Sequence, residues 1–261
     1  MKVLILTSRD IFCLLPMWEE IFKSKTASKF YLIAIKKAWQ LHKPSSSIKG
    51  PKIITALLLF CLHYGLGNTL RKIFYKFCEK WFNFSFEQRR IKKVCANFKI
   101  PVRIIDAPTG QEFEAVIKDI LPDIVIYQSH IKLDEKIINI VPQGVINRHP
   151  SLLPNYRGCF PIFWAKAQKD YQNMGVTLFR MKKDYDTGDI LAQRSIPVGK
   201  KDSLKDIYAQ TYSLGADMIV ELLNNIEAQK TIKAVKQEDE GSYYGWPSVA
   251  QIVKFACCRR L

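Results

Sequence analysis

Residues 145–158 read VINRHPSLLPNYRG, the most informative stretch of this 261-residue chain. Its apolar start predicts a buried strand, and Pro150 ends that strand. Residues two apart in a strand point to the same face, so we expect Asn147 and His149 side by side at its carboxyl end. An amide that donates to a developing oxyanion, beside an imidazole that handles a proton, suits acyl chemistry. A purely structural hydrogen bond from a histidine beside a proline turn is the alternative.

Short apolar runs upstream predict the rest of a sheet. They cover residues 3–7, 30–35, 102–105 and 124–127, with residues 144–147 as the fifth strand. Helical patterns lie between several of them, notably at residues 111–120. Short strands that alternate with helices predict an α/β fold, a mostly parallel twisted sheet with helices on both faces. Ligands of such sheets bind beyond the carboxyl ends of the strands.

A second polar stretch, DYDTGDIL at residues 184–191, follows Gly175-Val176-Thr177. It supplies three carboxylates, from Asp184, Asp186 and Asp189, in a loop that contains glycine. The loop has neither the spacing of an EF-hand nor that of a phosphate-binding glycine loop. A solvated acidic turn or a cation site remains the alternative interpretation of this stretch.

The basic charge of the chain is concentrated in one segment. The formal net charge is +16, and residues 36–103 hold 15 Lys or Arg against Glu79 and Glu87. That segment alone therefore carries a net charge of +13. A local basic patch favours an anionic partner, which is nucleic acid, a phosphate-bearing substrate or an acidic membrane surface.

The interval of about 38–95 interrupts the alternation of strands and helices and predicts a helical insertion. Residues 53–62 (IITALLLFCL) are apolar all round, but a helix needs ~20 such residues to cross a bilayer. Residues 70–82 alternate apolar and basic positions at helical spacing, the pattern of a basic amphipathic helix. Either residues 53–82 contact an anionic membrane surface or a lipid-bearing substrate, or they form a hairpin packed on the sheet.

Cysteine usage and the N-terminal sequence predict a cytoplasmic protein, with peripheral contact at the inner face of the membrane as a further option. The chain has seven cysteines, an odd number, and no pair has CxxC spacing. This pattern favours free thiols in a reducing compartment over a disulfide framework. The first seven residues resemble a strand rather than a signal peptide.

Two divisions of the chain are predicted. Residues 1–200 are expected to form the catalytic domain with its insertion, and residues 201–261 a C-terminal helical extension and tail. Asp202 and Ser203 are a candidate cap for a helix that runs to Ile226. The tail at residues 241–248 (GSYYGWPS) is a packed terminal loop, a cover for the active-site side of the sheet or a contributor to acceptor binding.

Three motifs together resemble the folate-dependent formyltransferases. They are NxHPSLLPxYRG at residues 147–158, GVT at residues 175–177 and DxGDIL at residues 186–191, and the similarity covers roughly residues 101–197. That group includes methionyl-tRNA, glycinamide ribonucleotide and sugar-amine formyltransferases. The resemblance implies a Rossmann-like formyltransferase domain and 10-formyltetrahydrofolate as the donor substrate. Attack of an amine on a formamide-like carbonyl needs no metal, so we expect none.

The resemblance also implies roles for individual residues. Asn147 matches the residue that helps to hold the oxyanion, His149 the catalytic histidine, and Asp186 the carboxylate that acts with it. The pterin site is expected on two loops, at Gln128, Ser129, His130, Ile131, Lys183, Asp184, Tyr185 and Asp189. The sequence Gln128-Ser129-His130 departs from the usual aromatic-glycine pattern, and the insertion is longer and more apolar than the family's.

We therefore expect transfer of a formyl group to a primary amine on a small molecule, an amino sugar on a nucleotide or lipid phosphate. The basic insertion suits such an anionic acceptor. Three alternatives stay open. They are a compact methionyl-tRNA formyltransferase, disfavoured by the short segment after Pro197, a formyltetrahydrofolate hydrolase, and a non-catalytic membrane-surface binding protein that retains the fold.

Overall fold

The computed structural model describes residues 1–24, 29–35, 52–82, 84–105, 110–129, 132–237 and 241–258. The strands are β1 (Lys2–Ser8), β2 (Lys29–Ile35), β3 (Val102–Ile105), β4 (Ile124–Gln128), β5 (Val145–His149), β6 (Arg157–Gly158), β7 (Gly175–Arg180), β8 (Ile190–Ser195) and β9 (Tyr243–Tyr244). The helices are α1 (Leu14–Ser24), α2 (Lys52–Tyr64), α3 (Leu66–Phe82), α4 (Phe86–Asn97), α5 (Gly110–Ile120), α6 (Glu135–Ile140), α7 (Pro161–Ala167), α8 (Leu204–Glu227) and α9 (Val249–Cys258).

The main sheet has the strand order β3-β2-β1-β4-β5-β7-β8. The strands from β3 to β5 are parallel, whereas β7 pairs antiparallel with both β5 and β8. The mostly parallel α/β sheet predicted from the sequence is therefore confirmed. The carboxyl ends of β1, β4 and β5 meet at one edge, where a ligand of such a sheet binds.

Alternate residues of the central strands face the two helical layers. Val3 and Ile5 of β1 pack with α1, α4 and α8, whereas Leu4 and Leu6 pack with α5 and α6. Trp18 of α1 is buried beneath the sheet edge, and its indole N–H donates to Thr7 Oγ1 at 3.2 Å. Each fully buried Val, Leu or Ile side chain in these layers contributes about 1.5–3 kcal/mol to the free energy of unfolding, relative to the same side chain in water.

Helix α8 completes the layer that contains α1. It begins at a capping box, because Ser203 Oγ accepts from Asp206 N and the Asp206 carboxylate accepts from Ser203 N. The cap region predicted at Asp202 and Ser203 is thereby confirmed. Leu222 and Leu223 of α8 lie in the core, so the predicted extension from residue 201 starts with an integral core helix.

The insertion is a helix pair that packs on the domain. Gly65 joins α2 to α3 with φ +78°, a conformation that glycine adopts without steric cost. α2 contacts α8 and α9, and its Leu59 is buried among their apolar side chains. α4 then packs Ile91 and Val94 into the core, so the regular helical layer resumes inside the predicted insertion at 38–95. Residues 38–51 and 83 of that insertion lie outside the described part. No helix among the described residues combines the length and apolarity needed to span a bilayer.

Candidate active site

The three predicted catalytic residues meet at the edge of the sheet. His149 is the last residue of β5, Asn147 precedes it by two on the same strand, and Asp186 lies in the loop between β7 and β8. That loop folds back so that Asp186 Oδ2 is 3.7 Å from His149 Nδ1. All three side chains line a cavity of about 260 Å³.

The imidazole of His149 has a defined arrangement of its two nitrogens. Nε2 lies 2.8 Å from the main-chain carbonyl oxygen of Tyr156. A carbonyl oxygen only accepts hydrogen bonds, so Nε2 carries the hydrogen in this contact. Nδ1, on the side of Asp186 and the cavity, is therefore the nitrogen that can take up or release a proton.

The amide of Asn147 is oriented by donors on its oxygen. Oδ1 accepts hydrogen bonds from Gln128 Nε2 at 2.7 Å and from Arg148 N at 2.8 Å. Because the oxygen is engaged in this way, Nδ2 is the atom through which Asn147 donates. Gln128 also accepts from Arg148 Nε at 3.1 Å, so its side chain holds β5 and Asn147 in place.

Asp186 is held by backbone geometry and by one residue that the sequence did not reveal. Its φ is +55°, and its Oδ2 accepts from Gly158 N at 2.8 Å. Gln237 is buried, and its Nε2 donates to the carbonyl oxygens of Asp186 and Gly188 at 2.9 and 2.6 Å. Gln237 Oε1 in turn accepts from Arg157 Nε and Nη2. The side chain thus fastens the Asp186 loop to β6.

The C-terminal tail covers the site. β9 pairs with β6, and Cys159 N donates to Tyr244 O at 2.8 Å. Gly158 has φ +93°, and a Cβ there would lie 2.3 Å from Tyr244 O, so glycine permits this close approach. Tyr243 and Trp246 line the cavity. Tyr244 also stacks on Tyr156 and Trp164, so the tail at residues 241–248 is both packed on the domain and part of the cavity wall.

Comparison with known proteins adds the family. Residues 93–223, half of the chain, match the sequence profile of the formyl transferase family. The chain belongs to this family. Part of the chain is 34% identical over 128 residues to methionyl-tRNA formyltransferase of Ehrlichia ruminantium (strain Welgevonden), which is 49% of this chain and 41% of that relative. The match thus spans less than half of the relative's length.

Solved structures share the fold. A 4-N formyltransferase from Francisella tularensis superposes with a TM-score of 0.61 at 19% identity, over 96% of this chain and 77% of that one. An N-formyltransferase from Helicobacter canadensis, in complex with folinic acid and dTDP-3-aminofucose, gives 0.56 at 18% identity, over 96% of this chain and 72% of that one. The formyltransferase fold is therefore shared along nearly the whole chain.

The predicted pterin-binding residues fall into three groups. Ser129, Lys183, Asp184 and Tyr185 line the cavity together with Gln128. Asp189 is absent from the described lining, and its carboxylate pairs with Lys182 Nζ at 2.7 Å. His130 and Ile131 lie outside the described residues.

Ser129 carries an unsatisfied polar atom. Its Oγ is buried and has no hydrogen-bond partner among the residues that the structure describes. Buried hydroxyl groups in native proteins are almost always paired. Since Ser129 lines the cavity, a ligand atom could supply the missing partner.

Basic side chains line the cavity, and the cysteine in its wall is not ionised. Lys72 and Lys76 of α3 line it, and Lys72 Nζ lies over the rings of Phe60 and Tyr64 at 5.0 and 4.6 Å. Burial, and then the charge of Asp186, raise the pKa of Cys159 to about 11, so at neutral pH this residue is a thiol. Nucleophilic catalysis by cysteine requires the thiolate, so the site does not favour it.

Proposed function

We propose that this protein transfers the formyl group of 10-formyltetrahydrofolate to a primary amine. One observation carries the proposal: His149 Nδ1 lies 3.7 Å from Asp186 Oδ2 in the cavity that Asn147 lines. A group that moves protons and a donor for a negative oxygen are thus present at one place. These are the two elements that acyl transfer to an amine requires.

The residues would divide the chemistry as follows. The amine nitrogen forms a bond to the formyl carbon, and the bond from that carbon to the folate nitrogen breaks. While both bonds exist the formyl oxygen is negative, and Asn147 Nδ2 donates to it. The amine loses one proton and the folate nitrogen gains one, and His149 Nδ1 carries that proton while Asp186 stabilises the ring when it is charged. The protein forms no covalent bond in this scheme.

The donor substrate fits the side of the cavity formed by Ser129, Lys183 and Tyr185. The unpaired Ser129 Oγ would hydrogen-bond a pterin heteroatom, and Tyr185 offers an aromatic face. We expect Ser129→Ala to raise the KM for the folate donor about five- to tenfold, the value of one hydrogen bond, with kcat little changed. An unchanged KM for the donor would place the pterin elsewhere in the cavity.

For the acceptor we propose an amino sugar that carries a phosphate, as a nucleotide or on a lipid. Lys72 and Lys76 present positive charge to the same cavity as His149. Phosphate groups are commonly recognised by lysine acting as a point charge. The crystallised Helicobacter canadensis relative, with a nucleotide-linked amino sugar in its complex, is consistent with this class of acceptor.

The test is a transfer assay with a panel of amines. The purified protein is incubated with 10-formyltetrahydrofolate and nucleotide-linked amino sugars, lipid-linked amino sugars, methionyl-tRNA or no acceptor, and formamide product and formate are measured. We expect product from a phosphate-bearing amino sugar, and its loss in Asn147→Ala and His149→Ala. Formylation of a different amine alone would refute the acceptor class, and no turnover with any acceptor would refute the transferase.

Methionyl-tRNA formylation is the second candidate, favoured by the 34% identity to the Ehrlichia ruminantium enzyme and by the net charge of +16. Binding of tRNA would weaken steeply as salt rises, since phosphate contacts release counterions.

Formate released without an acceptor would instead indicate a hydrolase. A non-catalytic binding protein would retain its function in His149→Ala.

A further inference from the structure

Helix α3 exposes a continuous apolar stripe. Its members are each about half exposed or more, and they are Leu66, Leu70, Ile73, Phe74, Phe77 and Trp81. At about 100° of rotation per residue these positions fall within an arc of about 100°, so they form one face of the helix. Trp81 is 66% exposed, which is unusual for the largest apolar side chain.

The flanks and the opposite side of α3 are already occupied. Thr69 and Cys78 are buried against the domain, and the ring of Tyr75 stacks on Phe86 at 4.7 Å between centroids. Lys72 lines the cavity. The stripe is therefore not the core-facing side of a packed helix. Contiguous exposed apolar surface of this kind marks an interaction site.

The surroundings of the stripe are basic. Arg71 and Lys80 of α3 and Arg89 and Arg90 of α4 are exposed. The acidic residues between 36 and 103 are Glu79 and Glu87, and both form ion pairs with Arg9. A second copy of the chain would bring like charges together at this face. A surface with negative charge and an apolar interior would complement it.

We propose that the apolar stripe of α3 docks on an anionic lipid bilayer. The aromatic and aliphatic side chains would enter the boundary between headgroups and acyl chains, with Trp81 in the interfacial region. Arg71 and Lys80 would lie at the level of the lipid phosphates, and each basic residue near an anionic membrane strengthens binding about fivefold. Docking of this kind does not depend on the proposed formyl transfer.

The test is co-sedimentation of the full chain with vesicles. Vesicles of equimolar phosphatidylcholine and phosphatidylglycerol should bind the protein, and vesicles of phosphatidylcholine alone should bind it weakly. The double substitution Phe77→Glu with Trp81→Glu should lower the binding constant by tenfold or more, since it removes apolar contact and adds repulsion. Arg71→Glu with Lys80→Glu should remove the preference for phosphatidylglycerol.

A matched control comes from the opposite face of the sheet. Ile140 of α6 is 43% exposed, and Ile140→Glu should bind vesicles as the parent protein does. Circular dichroism and Tm establish that each variant is folded. Equal sedimentation of the parent and Phe77→Glu/Trp81→Glu would overturn the proposal. So would a solution dimer that the same substitutions separate, in a protein that does not bind vesicles.

Discussion

Tyr156 accepts a hydrogen bond from His149 through its main-chain carbonyl, with 2.8 Å between the oxygen and Nε2. Tyr156 itself is fixed, because its hydroxyl donates to Asp170 at 2.8 Å and its ring stacks on Tyr244. The carbonyl therefore sets the orientation of the imidazole and leaves Nδ1 directed to Asp186. The proposed proton transfer through Nδ1 relies on this orientation of the ring.

This arrangement predicts a charge-specific role for Asp186. Asp186→Asn keeps an oxygen that can accept from Gly158 N but removes the negative charge beside His149 Nδ1. We expect kcat to fall about 10²–10⁴-fold with Tm little changed, the range typical of general acid–base catalysis. Steady-state kinetics would measure it. Asp217→Asn, at an exposed position of α8, is the control, and an unaltered kcat in Asp186→Asn would show that the carboxylate has no part in proton transfer.

Gln237 is predicted to be a positioning residue. Gln237→Ala removes both hydrogen bonds that Gln237 Nε2 donates to the Asp186 loop, so the carboxylate of Asp186 should move relative to His149. We expect kcat to fall about 10²-fold, as small misplacements near a reacting centre do, with KM for either substrate changed much less. Gln172→Ala, at an exposed position, should match the parent. A rise in KM at constant kcat would instead assign Gln237 to substrate binding.

Gly158 gives a prediction with a close control. Gly158→Ala places a Cβ 2.3 Å from Tyr244 O at φ +93°, whereas a Cβ at Gly245 meets nothing within 4 Å. We expect Gly158→Ala to lower the free energy of unfolding by about 1–3 kcal/mol and to reduce kcat, because β9 must separate from β6. Gly245→Ala should leave both unchanged. Urea unfolding and kinetics together would measure these effects, and equal behaviour of the two variants would contradict the predicted contact.

Most of the sheet was predictable because of where its strands lie. β1 and β4 are buried on both faces, so residues 3–6 and 124–127 are uninterrupted apolar runs. β5 begins with the apolar pair Val145 and Ile146 and continues with polar residues, and it was recognised through the motif that follows. β8 is an edge strand with three of its six residues exposed, and its sequence ILAQRS carries no such run. The six residues of α6 are too few to show a helical period.

The same reasoning explains what could be predicted of the site. Asn147 and His149 share one motif, and the family resemblance places Asp186, so their association could be expected. Gln237 reaches the loop from 51 residues away, in a polar stretch without local pattern, and only the folded chain reveals it. For α3, periodicity identified an amphipathic helix but could not tell which face the domain would cover.

Lys72 should distinguish phosphate-bearing acceptors from others. Lys72→Met keeps an unbranched apolar side chain against Phe60 and Tyr64 but removes the charge from the cavity. We expect the KM for a nucleotide-linked amino sugar to rise about tenfold, with kcat and the KM for the folate donor nearly constant. Lys23→Met, at the exposed end of α1, is the control. If an acceptor without phosphate lost as much as the nucleotide-linked one, Lys72 would not read the phosphate.

Arg9 should be required for the insertion to stay attached. It is buried and pairs with Glu79 at 2.7 Å and with Glu87 at 3.8 Å, joining β1 to α3 and α4. Arg9→Met removes the buried partner of Glu79, whose side chain is 26% exposed and also pairs with Lys76, so we expect a loss of about 1.5–3 kcal/mol in the free energy of unfolding at neutral pH. Glu87→Gln should cost far less, because burial raises the pKa of Glu87 and disfavours its charged form.

The contribution of the pair between Arg9 and Glu79 to stability should depend on pH in the acidic range. Burial raises the pKa of Glu79, but the hydrogen bond and charge of Arg9 outweigh it, so the folded-state pKa lies below the ordinary value of 4.5. The pair therefore stabilises the protein fully above pH 4.5, and the contribution is lost as pH falls through the folded pKa. The free energy of unfolding, measured in urea, should fall more steeply with decreasing pH in that range for the parent than for Arg9→Met. Parallel curves would mean that Arg9 does not hold Glu79 in its ionised form.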